Sequence, residues 1–313
     1  MQEKSKKNIL IISPVYPFPQ KCGFTYRVGD MCKYLALYFN LHLLLTDSLI
    51  PNINLQKDEI FRQIHTYKTK KFLPIPLTAL KNKIFLKVFS PHFDDPFYEN
   101  RNIGELIKQL CCEYRFSATI INTPGLGYCM KYLPENVLKI IDAHDIWHQK
   151  YLNYKAVGCG QLLSQFRDKK REIKLYKSSD ITIEISLSDL EYMRANGIHN
   201  AIHVPPSFVL NKLEDIKRDS PVLLYTSGQG PLNIDAVEYF IEKIFPLVKS
   251  KLQTAKFKIL NPSTTLTEKY SQCDNIIFAN YTDDLKNEYQ SSDLVVVPLR
   301  FANGIKIKVL ESF

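Results

Sequence analysis

The chain has 313 residues, 45% hydrophobic and 23% charged, which excludes a disordered polymer and supplies apolar residues for more than one core, since single cores rarely grow past ~250 residues. Lysine and arginine number 41 against 32 acids, a formal net charge of +9 gathered around 68–87 and 167–177. That balance suits an anionic partner such as a nucleotide, a nucleic acid or a membrane headgroup, but no basic stretch is Gly-rich or interleaved with aromatics as in a nucleic-acid module, so no nucleic acid is expected.

Seven cysteines without metal spacing, two of them adjacent at Cys111 and Cys112, fit a reducing compartment. After the polar residues 1–7, "NILIIS" opens the chain as a strand over 8–13, too short for a signal peptide or a membrane span. The pattern predicts a helix over 25–39 and a second strand over 41–46, a β-loop-α-β start that implies parallel pairing. Residues 48–100 are punctuated by Pro51, Pro74, Pro76, Pro91 and Pro96 and give only weak helical pieces. Alternation then resumes: helix 103–114, strand 118–122, helix 126–132, strand 137–142, a long helix 164–177, strand 181–185, helix 188–196 and strand 201–204.

After Pro205-Pro206 and a polar connector the pattern restarts. Strand 222–226, helix 234–248, strand 256–260, helix 264–272, strand 276–278, helix 283–290 and strand 294–297 follow. Two such series predict an α/β protein of two doubly wound Rossmann-like domains facing a cleft: residues 1–205, a linker over 206–220, and residues 221–313.

In open parallel sheets ligands bind beyond the carboxyl ends of the strands, so the turns there carry the chemistry. The first, "SPVYPFPQKCGFTYR", offers Gly23 for close backbone approach and Arg27 one turn into the helix. In "DAHDIWH", His144 stands just past a strand end, where an imidazole can exchange a proton or hold a sugar hydroxyl. His148 is one helical turn away, without a neighbouring Cys or Glu in metal spacing. "SGQGPLN" carries Gly228 and Gly230 but no third glycine and no acid ending the second strand, which disfavours a nicotinamide cofactor and leaves backbone contact with phosphate open. Finally, "FANGIKIKVLESF" places Asn303, Gly304, Lys306 and Glu311 on a strand-turn-helix; a glycine turn with a lysine suits a diphosphate, and a carboxylate beyond it can accept two ribose hydroxyls. Solvated surface loops would satisfy each of these spacings as well.

Taken with "IIDAHDIW", "EIKLYKSSDITIEISLSDLEYMRANGI" and "SSDLVVVPLRFANGIKIKVLES", these stretches resemble the retaining glycosyltransferases of family four, nucleotide-sugar enzymes with the two-domain GT-B fold. The resemblance implies an N-terminal domain for the acceptor, a glycan or a lipid-linked molecule, and a C-terminal domain for the nucleotide sugar, with no metal ion and no other cofactor. Carried over by position, Gly23 would lie against the donor diphosphate, His144 beside the transferred sugar, Lys306 and Gly304 at the diphosphate, and Glu311 at the ribose. Arg27, Gly228 and Asn233 join the expected donor set. A cytoplasmic setting in surface-polysaccharide biosynthesis follows by the same resemblance, with peripheral contact to an anionic membrane as a further expectation.

The sequence departs from that family's pattern at several points. Cys22 replaces one glycine of the first-loop pair, Asn303 replaces the first of two paired acids, and Asn233 stands where a basic residue is common. An amide can bond a sugar hydroxyl but cannot balance positive charge at an anomeric carbon. Relatives also continue past "LES", so the second domain reads as truncated. The alternative to a transferase is therefore an inactive fragment or a nucleotide-binding protein of the same fold.

Overall fold

The computed structural model describes residues 6–20, 22–46, 59–67, 100–207, 220–282, 285–310 and 312. Two compact units divide the chain: Met1–His148 with Gln165–Ser207, and Gln149–Ser164 with Phe208–Phe313.

The first unit is built on a seven-stranded sheet. Its strands are β1 (Asn8–Ser13), β2 (Asn40–Leu45), β3 (Phe61–Thr66), β4 (Ala118–Asn122), β5 (Leu138–Asp142), β6 (Ile181–Glu184) and β7 (Ala201–His203). Every pairing is parallel, in the order β3-β2-β1-β4-β5-β6-β7. The apolar runs of β1 and β2 show why both faces are covered. Ile9 and Ile11 pack with Leu41, Leu43 and Leu45 against Val28 and Cys32 of α1 (Gly23–Ala36). Leu10, Ile12 and Leu44 face the opposite layer, with Ile107 of α2 (Arg101–Tyr114) and Tyr176 of a later helix. Alternate residues of one strand thus feed two cores, as period-two geometry requires.

The second unit holds a parallel four-stranded sheet, order β10-β9-β8-β11, from β8 (Val222–Thr226), β9 (Lys256–Leu260), β10 (Ile276–Ala279) and β11 (Leu294–Val295). Leu223, Tyr225, Phe257 and Ile259 pack here with Val237, Phe240, Phe245 and Leu266. The strand begun at Leu294 lies beside the first strand of its sheet, with Leu294 opposite Leu223.

Several elements differ from expectation. Strand β3 falls in the stretch 48–100, where the sequence gives only weak helical pieces; "FRQIHT" alternates weakly and sits at the sheet edge. A helix α3 (Trp147–Ala156) stands where none was expected, and it buries no residue fully, which is why its apolar period is faint. The helix expected over 164–177 is only α4 (Lys169–Lys177): the Asp168 side chain accepts from Arg171 N and starts the helix there. It precedes α5 (Leu187–Ala195), capped by Ser186. The helix expected over 234–248 is interrupted, running as α6 (Pro231–Tyr239), a π-helical turn over Phe240–Ile244, and α7 (Phe245–Lys251). Pro246 lacks the N–H that a continuous helix would use, so the ladder shifts register one turn before it. Residues 126–132 form a 3₁₀ rather than an α-helix, within Pro124–Tyr132. The remaining helices are α8 (Thr264–Lys269), α9 (Leu285–Gln290) and α10 (Ile307–Leu310).

Candidate functional site

Each sheet reverses its winding direction once, between β1 and β4 in the first unit and between β8 and β11 in the second. These switch points, at the carboxyl ends of the strands, are where doubly wound sheets open a crevice. The candidate residues cluster at both.

In the first unit His144 follows β5 with φ of 60°, a left-handed conformation that His tolerates better than most residues. Its Nε2 lies 3.4 Å from Asn122 Oδ1, at the end of β4, and 3.4 Å from Asp142 Oδ2, at the end of β5. Both neighbours accept, so the proton of the neutral ring belongs on Nε2. The ring stacks on Phe24 of α1 with centroids 4.5 Å apart.

Asp142, fully buried, is held in turn by Arg27. Nε donates to Oδ2 at 3.1 Å and Oδ1 at 3.2 Å, and Nη2 donates to Oδ1 at 3.1 Å. Arg27 is itself only 8% exposed, so its guanidinium is directed at Asp142. Gly23 is the first residue of α1 and partly exposed, with Cys22 as the N-cap. The backbone N–H of Cys22 donates to Thr25 Oγ1 at 3.0 Å.

Behind this cluster lie two buried acids. Glu172 accepts from Trp147 N, His148 N and Tyr176 Oη, each at 2.8 Å, and so anchors the start of α3; burial nevertheless pushes its pKa up. Glu184, at the end of β6, has no hydrogen-bond partner for either carboxyl oxygen among the described residues. Burial first, then the neighbouring Asp189, Asp142, Asp145 and Glu172, hold its pKa well above the ordinary carboxylate value. His148 Nδ1 lies 3.2 Å from the Arg167 carbonyl oxygen, and no group of three or more His, Cys, Asp or Glu that could hold a metal ion occurs among the described residues.

In the second unit the loop after β11 returns to the end of β8. Lys308 of α10 donates to the Thr226 carbonyl at 2.5 Å and to Asn233 Oδ1 at 3.3 Å, with its ammonium 4.2 Å from the centroid of the Tyr225 ring. Tyr225 Oη donates to the same Asn233 oxygen at 2.7 Å. A Cβ on Gly228 would come within 3.0 Å of Asn233 Nδ2, so this residue keeps the turn after β8 close to α6. Gly304 has φ of 59°, the left-handed region where glycine is at no disadvantage.

Asn303 is buried at 8% exposure, and both ends of its amide are engaged: Nδ2 of Asn153 donates to its Oδ1, and its own Nδ2 lies 3.4 Å from Gln149 Oε1. Asn153 and Gln149 come from α3, the helix that sequence reasoning missed. Lys306 Nζ donates back to the Asn303 carbonyl, tightening its own turn. Lys308 rather than Lys306 therefore reaches the strand end. The signal was present in "GIKIK": two lysines two apart on a young helix point about 200° apart, so only one can face the sheet. Glu311 lies outside the described residues.

Residues 220–313 match the family model for glycosyl transferases group 1. The matched region contains the Lys308 cluster and the whole of the four-stranded sheet. No curated protein matches the chain by sequence. Among solved structures the chain is similar to a sucrose-phosphate synthase from Thermosynechococcus elongatus, 14% identical over 98% of this chain and 79% of that one, with a TM-score of 0.71. A TarM variant from S. aureus, crystallised with fondaparinux, α-GlcNAc-glycerol and UDP, is 12% identical over 98% and 83%, TM-score 0.65. A lipopolysaccharide outer core galactosyltransferase is 12% identical over 98% and 77%, TM-score 0.58. At such identities the likeness establishes the fold, which is GT-B.

Proposed function

We propose that the chain is a retaining glycosyltransferase, moving a sugar from a nucleotide-sugar donor to a glycan or lipid-linked acceptor in the cytoplasm, as a step of surface-polysaccharide biosynthesis. The observation that carries this reading is Lys308, set against Thr226, Asn233 and Tyr225 at the switch point of a sheet that matches the group 1 family model. A cation at that strand end would offset the charge of a diphosphate bound in the crevice beyond the strands. The UDP in the TarM structure supports a nucleoside diphosphate as the ligand class.

In the reaction the bond between the anomeric carbon and the β-phosphate oxygen breaks, and the acceptor hydroxyl forms the new glycosidic bond on the same face. Its proton passes to the departing phosphate, whose charge Lys308 and Lys306 offset. Gly304 and Gly228 let backbone N–H groups approach the phosphates. Asn303 offers its remaining amide valences to sugar hydroxyls, and Glu311 is the proposed ribose ligand. Gly23 and the Nε2-protonated His144 complete the set, with Arg27 supporting His144 through Asp142. No step in this scheme uses a metal ion or another cofactor.

A second reading, a nucleotide-binding protein without turnover, is favoured by one observation: the amide of Asn303 is already bonded to Asn153 and Gln149. Incubation with a panel of nucleotide sugars, read by release of nucleoside diphosphate, tests both. Release that disappears in Lys308→Ala supports the transferase; saturable binding without release supports the second reading.

A further inference from the structure

Helix α3 reverses the usual amphipathic arrangement. Its apolar Leu152 is 46% exposed, and none of its residues is fully buried. Its contacts with the loops of the second unit are instead polar, through Gln149 and Asn153, four apart and therefore on one face, and through Tyr154 beside them. Gln149–Ser164 and residues 302–304 belong to the same unit. Asn153 Nδ2 donates to Asn303 Oδ1 and, at 3.3 Å, to the Ala302 carbonyl, and Asn303 Nδ2 donates to Gln149 Oε1 at 3.4 Å. Tyr154 Oη stands 3.5 Å from where a Cβ on Gly230 would sit. The helix thus borders both the turn that follows β8 and the loop that leads into α10, which together carry the Lys308 cluster.

These bonds fix how the three amides are turned. Each carboxamide has two N–H donors and an oxygen with two lone pairs. Asn153 engages both N–H groups and keeps its Oδ1, while Gln149 engages its Oε1 and keeps its Nε2. Among the described residues neither of these remaining atoms has a hydrogen-bond partner, and both belong to half-buried side chains. The array therefore ends in an acceptor on one side and a donor on the other. Asparagine is a poor helix former, and a leucine at the contact would bury apolar surface that Leu152 leaves in water. The polar face therefore serves something other than packing.

We propose that Gln149 and Asn153 of α3, with Asn303, read adjacent hydroxyls of the sugar on a bound donor and so decide which sugar the site accepts. The inference rests on the nucleotide-sugar reading given above. The loop that delivers Lys308 to the end of β8 also carries Asn303, so a sugar attached to a phosphate at Lys308 is brought to the side where α3 stands. One hydroxyl donates to Asn153 Oδ1 and its neighbour accepts from Gln149 Nε2. A sugar lacking either hydroxyl leaves an amide unpaired and is disfavoured. The array supplies directional bonds without charge, which suits a neutral pyranose. The bonds that Asn303 already makes are then part of the site rather than an obstacle to it.

The test is equilibrium binding of UDP, GDP, ADP, CDP and dTDP, and of their glucose esters, to the full chain and to Gln149→Leu, Asn153→Leu and Lys308→Ala. Thermal melts confirm that each variant folds. The unsubstituted chain should bind a glucose ester more tightly than the free diphosphate. Gln149→Leu and Asn153→Leu should each weaken the ester about three- to tenfold, the range for one neutral hydrogen bond, and leave the free diphosphate unchanged. Lys308→Ala should weaken both alike. A helix that only packs would move ester and diphosphate together. Equal losses for the two in the α3 variants, no loss of either, or no gain from the glucose in the unsubstituted chain would each overturn the inference, with the Lys308→Ala result still upholding the nucleotide site. No diphosphate bound by the unsubstituted chain would overturn both.

Discussion

Arg27 and Asp142 form a buried ion pair that joins the first helix to the fifth strand, and Asp142 in turn faces His144 Nε2 at 3.4 Å. Removing one partner leaves the other charge buried without a counter-charge. Asp142→Asn should therefore destabilise the first unit by about 3–5 kcal/mol, whereas replacing both residues with apolar ones of similar volume should recover much of that loss. Denaturant unfolding of the two variants checks this; equal stability of the single and double variants would show that burial does not govern the pair.

His144→Ala should lower turnover by roughly 10²–10⁴-fold if the imidazole handles a proton or positions the sugar. Donor affinity should hardly change, because the cations proposed to offset the diphosphate charge, Lys306 and Lys308, lie in the other unit. Single-turnover rates and donor titration separate the two effects. A variant with full turnover would reduce His144 to a turn residue.

Acid should weaken the fold through His42. Its ring is fully buried, 3.3 Å from His65 Nε2, and packed on Tyr114 and Phe116. Burial, with help from His65 and Arg62, pulls its pKa down to about 4, while Glu113 opposes the shift. A folded-state pKa below the unfolded one means stability is complete above the usual histidine value of about 6.5 and is lost as pH falls from there towards 4. His42→Phe should flatten that limb of the unfolding profile. A profile unchanged in the variant would place the acid sensitivity elsewhere.

Glu184 should act in the opposite sense. A carboxyl whose folded pKa is raised favours folding fully below the unfolded value near 4.5 and loses that contribution as pH rises through the folded pKa. Glu184→Gln keeps the shape without the ionisation, so its stability relative to the unsubstituted chain should grow as pH increases. Parallel profiles for the two proteins would mean the acid is not held neutral.

Much of this architecture could be read from sequence, because buried parallel strands announce themselves. "NILIIS", "ATIIN" and "VLLYT" are largely apolar on both faces and bounded by turns, "KFKIL" sets lysines on one face and Phe257 and Ile259 on the other, and each is a strand in the structure. Elements that bury little were not legible: α3 has no fully buried residue, and β3 is an edge strand. The candidate site shows the same division. His144 and Gly304 could be placed from the strand ends and turns that precede them. Asp142 does not stand out in the sequence because it ends an apolar run without a motif around it, although a charged residue at such a position must find a partner such as Arg27. Asn153 and Gln149 were out of reach, since their link to Asn303 spans about 150 positions and depends on where α3 packs.

The most direct test of the account is a titration of nucleoside diphosphate, and of the corresponding nucleoside, against the unsubstituted chain, Lys308→Ala and Lys306→Ala. One charge-assisted contact is worth about 1.5–3 kcal/mol, or about ten- to a hundredfold in affinity. The account predicts that Lys308→Ala loses this much for the diphosphate and little for the nucleoside, and that Lys306→Ala loses less because its ammonium turns back onto its own loop whereas that of Lys308 stands at the end of β8. Equal losses for diphosphate and nucleoside, or no binding of the diphosphate by the unsubstituted chain, would contradict it.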